Sequence, residues 1–323
     1  MATPLSLLGA VLAQILHVAL VLVAAPFLLG VLEWLRARLL GFRGASPRQP
    51  WRDLLRLLRK RPVLAESASW ISRAAPYAAV AATAVAAALV PGFARGMALA
   101  PLSDLLVVAG LLGVARVALA LAGMDAGTAF GGLGAAREMA FAAFAEPALL
   151  LAAMSFAILT GSTNIDFIAT AFAGGAPGLR VSLALALLAL LAVALAENGR
   201  IPVDNPATHL ELTMVHEAML LEASGRHLAL WQYAAALRLL LWLALLNALF
   251  LPYGTAPAAA GPLAWVVAAV LWAGRMLLLA AALAVFERAI AKMRVFRVPE
   301  FLGAALLLGL LGAVLLFVST GLT

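Results

Sequence analysis

Apolar residues gather in eight long runs, at about 5–32, 67–92, 101–123, 136–160, 178–198, 230–252, 262–286 and 300–321. A helix needs roughly 20 apolar residues to cross a bilayer. The runs are continuous and lack period-two alternation, so they predict helices rather than strands. Proline or glycine marks most junctions, among them Pro62, Pro91-Gly92, Pro101, Pro177-Gly178, Gly261-Pro262 and Pro299. The first run is longer than a signal-peptide core and has no basic segment ahead of it, so it reads as a retained span. Between the first two runs, WRDLLRLLRKR (51–61) puts Trp51, Leu54, Leu55 and Leu58 on one helical face and Arg52, Arg56, Arg59 and Lys60 on the other. That pattern predicts a helix lying in the membrane interface. The expected fold is all-α: a polytopic membrane helix bundle of about eight transmembrane helices plus this short amphipathic interfacial helix.

Composition agrees with the pattern. Of 323 residues, 65% are hydrophobic and 11% charged, whereas a soluble domain has about 25% charged residues. A bilayer is the solvent that suits such a chain. Cysteine is absent, which excludes disulfides, thiolate chemistry and the usual ligands of iron–sulfur clusters. The formal charge of +7 is not a nucleic-acid signature, because no basic, aromatic-interleaved soluble face exists. It orients the bundle instead. Arg36, Arg38, Arg43, Arg48, Arg52, Arg56, Arg59, Lys60, Arg61 and Arg73 follow the first span, and Arg288, Lys292, Arg294 and Arg297 follow the seventh. The opposite loops hold only Arg95 and Arg180. By the positive-inside rule both termini face outward. A single integral membrane domain over 1–323 is expected, with cytoplasmic loops at about 33–66, 124–135, 199–229 and 287–299, multi-pass in a cytoplasmic (inner) membrane.

Some charges fall where a membrane tolerates them poorly. Arg116, Glu146, Arg238 and Arg275 lie inside predicted spans, and a charge at the bilayer centre costs roughly 2.5–3.5 kcal/mol on the gentlest scale. They serve either as a polar path for protons or ions, or as static pairs that fix helix register. The densest cluster is ENGRIPVDNPATHLELTMVHEAMLLEASGR (197–226), which holds five of the chain's 15 acids: Glu197, Asp204, Glu211, Glu217 and Glu222. Pro202 and Pro206 break the helix there. A helix resuming near Thr208 would put Glu211 and Glu222 on one face, with His216 and Glu217 pointing elsewhere. Clustered carboxylates repel one another, so some hold protons near neutral pH, as a proton relay requires. A solvated loop is the alternative. His209 and His216 lack the spacing of a zinc site, and no G-x-S-x-G motif is present.

AENGRIPVDNPATHLELT…LLEASG resembles the signature loop of the complex I membrane subunit 1 family. Its quinone-reducing members read like A-E-x-N-R-x-P-F-D-x-x-E-x-E-S-E-L followed by E-Y-S-G, and Ala196, Glu197, Arg200, Pro202, Asp204, Glu211, Leu212, Glu222, Ser224 and Gly225 fit. Gly199 stands where that pattern has Asn, Val203 where it has Phe, and the stretch between Glu211 and Glu222 is longer. These departures are similar to the hydrogenase branch, which includes formate hydrogenlyase, Ech-type and CO-induced enzymes. So is MDAGTAFGGLGAAREMAFAAFAEP (124–147), although Ala136 replaces an expected serine.

The resemblance implies a non-catalytic membrane subunit, not an enzyme alone. It would dock a cytoplasmic hydrogenase module and couple electron transfer to proton or sodium translocation. Implied partners are the hydrogenase large and small subunits, an iron–sulfur subunit and an antiporter-like membrane subunit. The nickel–iron site and the clusters would sit in those partners, with no cofactor in this chain. The implied proton path is Glu138, Glu146, Glu197, Asp204, Glu211 and Glu222, with Arg116, Arg137, Arg200 and Arg275 as supporting charge. Two alternatives stay open: a quinone-site subunit of an NADH–quinone oxidoreductase, and a stand-alone ion antiporter or channel.

Overall fold

The computed structural model describes residues 4–175, 180–204 and 214–321. Its helices are α1 (Pro4–Leu39), α2 (Gln49–Leu58), α3 (Ile71–Leu89), α4 (Leu105–Asp125), α5 (Ala129–Thr160), α6 (Ile165–Ala173), α7 (Val181–Glu197), α8 (His216–Leu220), α9 (Gly225–Phe250), α10 (Pro262–Ala289) and α11 (Val298–Gly321). The fold is an all-α polytopic membrane bundle. Among the described residues seven helices are long and apolar enough to cross a membrane: all of the above except α2, α6, α7 and α8. The fifth predicted span corresponds to α7, an apolar helix of only 17 residues.

Local chemistry sets the ends. Asp104 caps α4 by accepting from the Leu106 amide at 2.7 Å, and Asn164 caps α6 by accepting from Phe167 at 2.9 Å. Gly161, with φ 76°, closes α5 in the left-handed conformation. Pro262 opens α10, where a missing N–H costs nothing.

The core is built from small and branched residues. α11 packs against α5 and α7, α3 against α4 and α9, and α1 against α9 and α10. α9 lies at the centre, with Leu237, Leu240, Leu241, Trp242, Leu245 and Leu249 almost fully covered. By contrast α10 leaves most of its length uncovered, as a helix facing lipid or another protein does.

The two ends of the bundle differ. At the end that carries α1's first turns, the loops are sewn together. Ala94 and Arg95 pair in parallel with Ala256 and Pro257, and Ala98 N–H donates to Ala10 at 3.3 Å. Asn164 donates to the Ala100 carbonyl at 2.8 Å, and Asp166 accepts from Gly96 at 3.0 Å; burial raises the Asp166 carboxyl above its ordinary range. The basic end is a rim of side-chain contacts. Asp125 accepts from the amides and hydroxyls of Ser69 and Ser72, and Ser224 exchanges hydrogen bonds with both backbone groups of Val63. α2 lies beside that end as an amphipathic helix. Its Trp51 donates to the Val23 carbonyl at 3.1 Å, Leu54 is buried, and Leu55 and Leu58 are exposed.

Candidate functional site

Depth along the helices places the charges. At 1.5 Å per residue, Arg116 lies about 14 Å inside the Asp125 end of α4, and Glu138 about 14 Å inside the Ala129 end of α5. By the same rise, α7 is only about 25 Å long and α5 about 48 Å. Glu197, the last residue of α7, nevertheless touches Arg116. α7 therefore stops near mid-height, and the chain beyond it enters the bundle instead of leaving it.

Arg116 is the hub. It is 4% exposed. Its Nη2 donates to Glu197 Oε1 at 2.5 Å, its Nη1 to Glu146 Oε1, and its Nε lies 3.6 Å from Glu138 Oε1. Glu138 and Glu197 are as buried as the arginine, but the side chain of Glu146 is 52% exposed on the flank of the bundle. Pro147 follows Glu146 inside α5. Lacking an N–H, it frees the carbonyl of Ala143 one turn back.

A glycine-rich seam seats the next layer. A Cβ on Gly134 would come within 2.8 Å of the Val215 carbonyl, and one on Gly123 within 2.9 Å of Met219. The glycines of the 123–134 stretch thus let α8 press against α4 and α5. This puts His216 Nε2 3.5 Å from Glu138 Oε2, too long and misaligned for a hydrogen bond. Burial, reinforced by the charge of Arg238, lowers the His216 pKa to about 3, so the imidazole is neutral at pH 7. Gly199 makes room on the other side. Its φ is 54°, and a Cβ there would lie 2.9 Å from His216 Nδ1.

Toward the basic end a cavity of about 350 Å³ opens below this layer, lined in part by Glu33, Asp53, Arg200, Asp204, His216 and Arg238. Asp204 meets Lys292 Nζ at 3.0 Å and accepts from the Val215 amide at 3.3 Å. Glu287, on α10, lies 3.1 Å from Arg36 Nε and 3.7 Å from Arg200 Nη1. Neither oxygen of Glu287 receives a well-aligned hydrogen bond, so the trio is held by Coulomb attraction. Burial lowers the Arg200 pKa, opposed by Glu287.

The structure thus brings Glu138, Glu146 and Glu197 together around Arg116, with Asp204 and Arg200 on the adjoining cavity. It does not bring in the others. Arg137, half-buried and one residue before Glu138 on α5, donates to the Met214 carbonyl at 3.0 Å. Glu222 is exposed beside a small pocket with Leu64 and His227. Arg275, on α10, meets no hydrogen-bond acceptor among the described residues. Glu211 and His209 lie outside the described residues.

One expectation is corrected. No continuous helix runs from Thr208 to Glu222, because Met214 and Val215 are not helical and α8 starts at His216. The shared-face argument for Glu211 and Glu222 fails with it, and His216 points into the network instead of away. Sequence reasoning also missed Glu33, Arg36 and Glu287. Their signal was modest: Glu33 and Glu287 each fall one residue past the end of an apolar run, where a charge looks like an ordinary boundary. Among the described residues no cluster of three or more His, Asp or Glu side chains is arranged to hold a metal ion.

Comparison with known proteins converges on one family. Residues 11–318 match the family described as NADH dehydrogenase. Formate hydrogenlyase subunit 4 of Escherichia coli (strain K12) is 32% identical over 286 residues, covering 87% of this chain and 91% of that protein. Hydrogenase-4 component C of the same organism is 33% identical over 239 residues, 73% of this chain and 74% of that one. A chain of the membrane-bound sulfane sulfur reductase, an archaeal respiratory membrane complex, superposes with a TM-score of 0.80 at 20% identity, over 95% of this chain and 99% of that one; this likeness concerns the fold. The expected resemblance holds along nearly the whole length, and the chain belongs to the NADH dehydrogenase family of complex I subunit 1-like membrane proteins.

Proposed function

We propose that the chain is the membrane-anchoring, proton-path subunit of a multisubunit energy-converting nickel–iron hydrogenase. It docks a cytoplasmic hydrogenase module on its basic rim and couples electron transfer to movement of protons or sodium ions. The carrying observation is a continuous set of ionisable groups at mid-height. It runs from the cavity through His216 to Glu138, then around Arg116 and Glu197 to Glu146, which opens sideways. A buried polar array of this kind is expensive in a bilayer and marks ion pathways more often than scaffolding. The two curated relatives, both named as hydrogenase-complex components, favour the hydrogenase reading. In it, protons enter from the cytoplasmic cavity, electrons stay in partner subunits, and charge arriving near residues 197–204 shifts the carboxylates' proton affinity. The termini face outward and the membrane is the cytoplasmic (inner) one, as the basic rim suggests.

The test is Glu138→Gln and Glu146→Gln in the assembled complex in proteoliposomes. Proton uptake should drop about tenfold or more while hydrogenase activity with a soluble electron donor persists. Unchanged translocation in both variants rejects the path. One observation favours a second reading, a quinone site: a cavity of this volume is within the range of small-molecule pockets. Inhibition by a quinone analogue that the cavity variant Asp53→Leu abolishes would favour it.

A further inference from the structure

Among the described residues Arg275 is an intramembrane cation that the network leaves out. It lies 13 residues into α10 and 14 before its end, about 20 Å from either terminus. Its Nε, Nη1 and Nη2 are shielded from solvent and meet no hydrogen-bond acceptor among the described residues. Among the described residues it makes no ion pair either. The other intramembrane arginines differ: Arg116 has three carboxylates, and Arg238, although its Nε also lacks an acceptor, borders the cavity. Lipid cannot serve Arg275, because acyl chains offer no acceptor, and snorkelling relieves side chains near helix ends rather than at the centre.

The surroundings show where an acceptor could come from. Arg275 is partly exposed and borders an open apolar strip of α10 formed by Val267, Val270, Gly274 and Leu278. A Cβ on Gly274 would meet nothing within 4 Å. A small residue beside a polar one is the pattern that lets a second transmembrane helix approach closely and exchange a hydrogen bond.

We infer that this face of α10 receives a transmembrane helix of another membrane subunit, which presents a carboxylate at mid-bilayer depth to Arg275. On docking, the guanidinium swings from its folded position toward that acid, forming a charge-assisted, two-pronged pair. The inference rests on the chain standing in a multisubunit membrane complex, but not on which electron acceptor that complex uses.

The test uses the intact complex in native membranes, with a photoreactive amino acid at Val270, at Leu278 or, as a separate probe, at Val63 on the basic rim. Val270 and Leu278 should each yield an adduct with one co-purifying polytopic subunit, in a span carrying Asp or Glu within two turns of the crosslink. Arg275→Leu should cut that adduct, and retention of the subunit after detergent extraction, by about tenfold, the upper range for one interhelical polar contact in a bilayer. Arg275→Lys should retain most of both. Leucine is easier to insert than arginine, and an unchanged Val63 adduct in Arg275→Leu shows that the chain still folds. Adducts with lipid alone, adducts with a span lacking an acid, or full retention in Arg275→Leu would each overturn the inference. Failure of the Val63 probe to capture a soluble hydrogenase subunit counts against the proposed function, whatever the α10 probes capture.

Discussion

Replacing Arg116 by Met removes the cation in contact with Glu138, Glu146 and Glu197 while keeping most of the side-chain volume. The cost follows from burial. Arg116, Glu138 and Glu197 are each about 5% exposed, whereas the half-exposed Glu146 can turn to its surroundings. Discounting Glu146 for that exposure, two buried carboxylates lose their ion pair. Counting only the closer of the two, with Glu197, breaking a buried pair typically destabilises by about 3–5 kcal/mol. At about 2 °C per kcal/mol, the lower end for large soluble domains, the melting temperature should fall by roughly 6–10 °C. The seven tryptophans give an intrinsic fluorescence signal in detergent, and thiol-reactive dyes cannot label a chain without cysteine. The control is Arg116→Met combined with Glu197→Gln. Removing both partners should cost clearly less than the sum of the single changes, because the double variant no longer strands a buried charge at that pair. A melting temperature for Arg116→Met equal to the parent's, or strictly additive single and double variants, would refute the view that this cluster is held electrostatically.

Gly199→Ala should destabilise more than Gly127→Ala. Both glycines have positive φ and carry a backbone cost of about 1–2 kcal/mol for a left-handed residue, but Gly127 has open space while Gly199 meets His216 Nδ1; equal melting shifts would show that the His216 contact is slack. His216 should make stability pH-dependent. Its pKa is lowered from 6.5 to about 3 in the fold, so its contribution is complete above about pH 6.5. Stability should then fall as pH drops toward 3, at up to ~1.4 kcal/mol per pH unit. His216→Asn should flatten that part of a melting-temperature profile, and an unaltered profile would exclude His216 as its source.

Much of the bundle was legible because a bilayer imposes one demand, long apolar stretches, that local sequence shows directly. The stretches at 124–147 and 196–226 also announced themselves, since charge inside apolar runs is conspicuous. What stayed hidden depends on non-local geometry. Nothing in the 178–198 run says that α7 ends beside Arg116, because its composition equals that of a full span. The placement of His216 needs the turn at Gly199 and the break at Met214 and Val215, which the regular pattern around Glu211 and Glu222 masks. Glu33, Arg36 and Glu287 sit near helix ends, where a charge looks like an ordinary boundary residue until three elements meet.

The sewn loops at the end that carries α1's first turns have a mechanical consequence. Strand pairing and cross-loop hydrogen bonds clamp α1, α3, α4, α6 and α10 there, so a push on the basic rim tilts helices about a fixed pivot rather than sliding them. The Arg116 cluster lies about halfway along such a lever. Interface helix shifts of about 1–2 Å are common in switching proteins, and one of that size at the rim would reach the cluster as roughly half as much. That is about the difference between a made and a broken hydrogen bond, so a displacement of that size at the rim would be enough to change partners at mid-membrane.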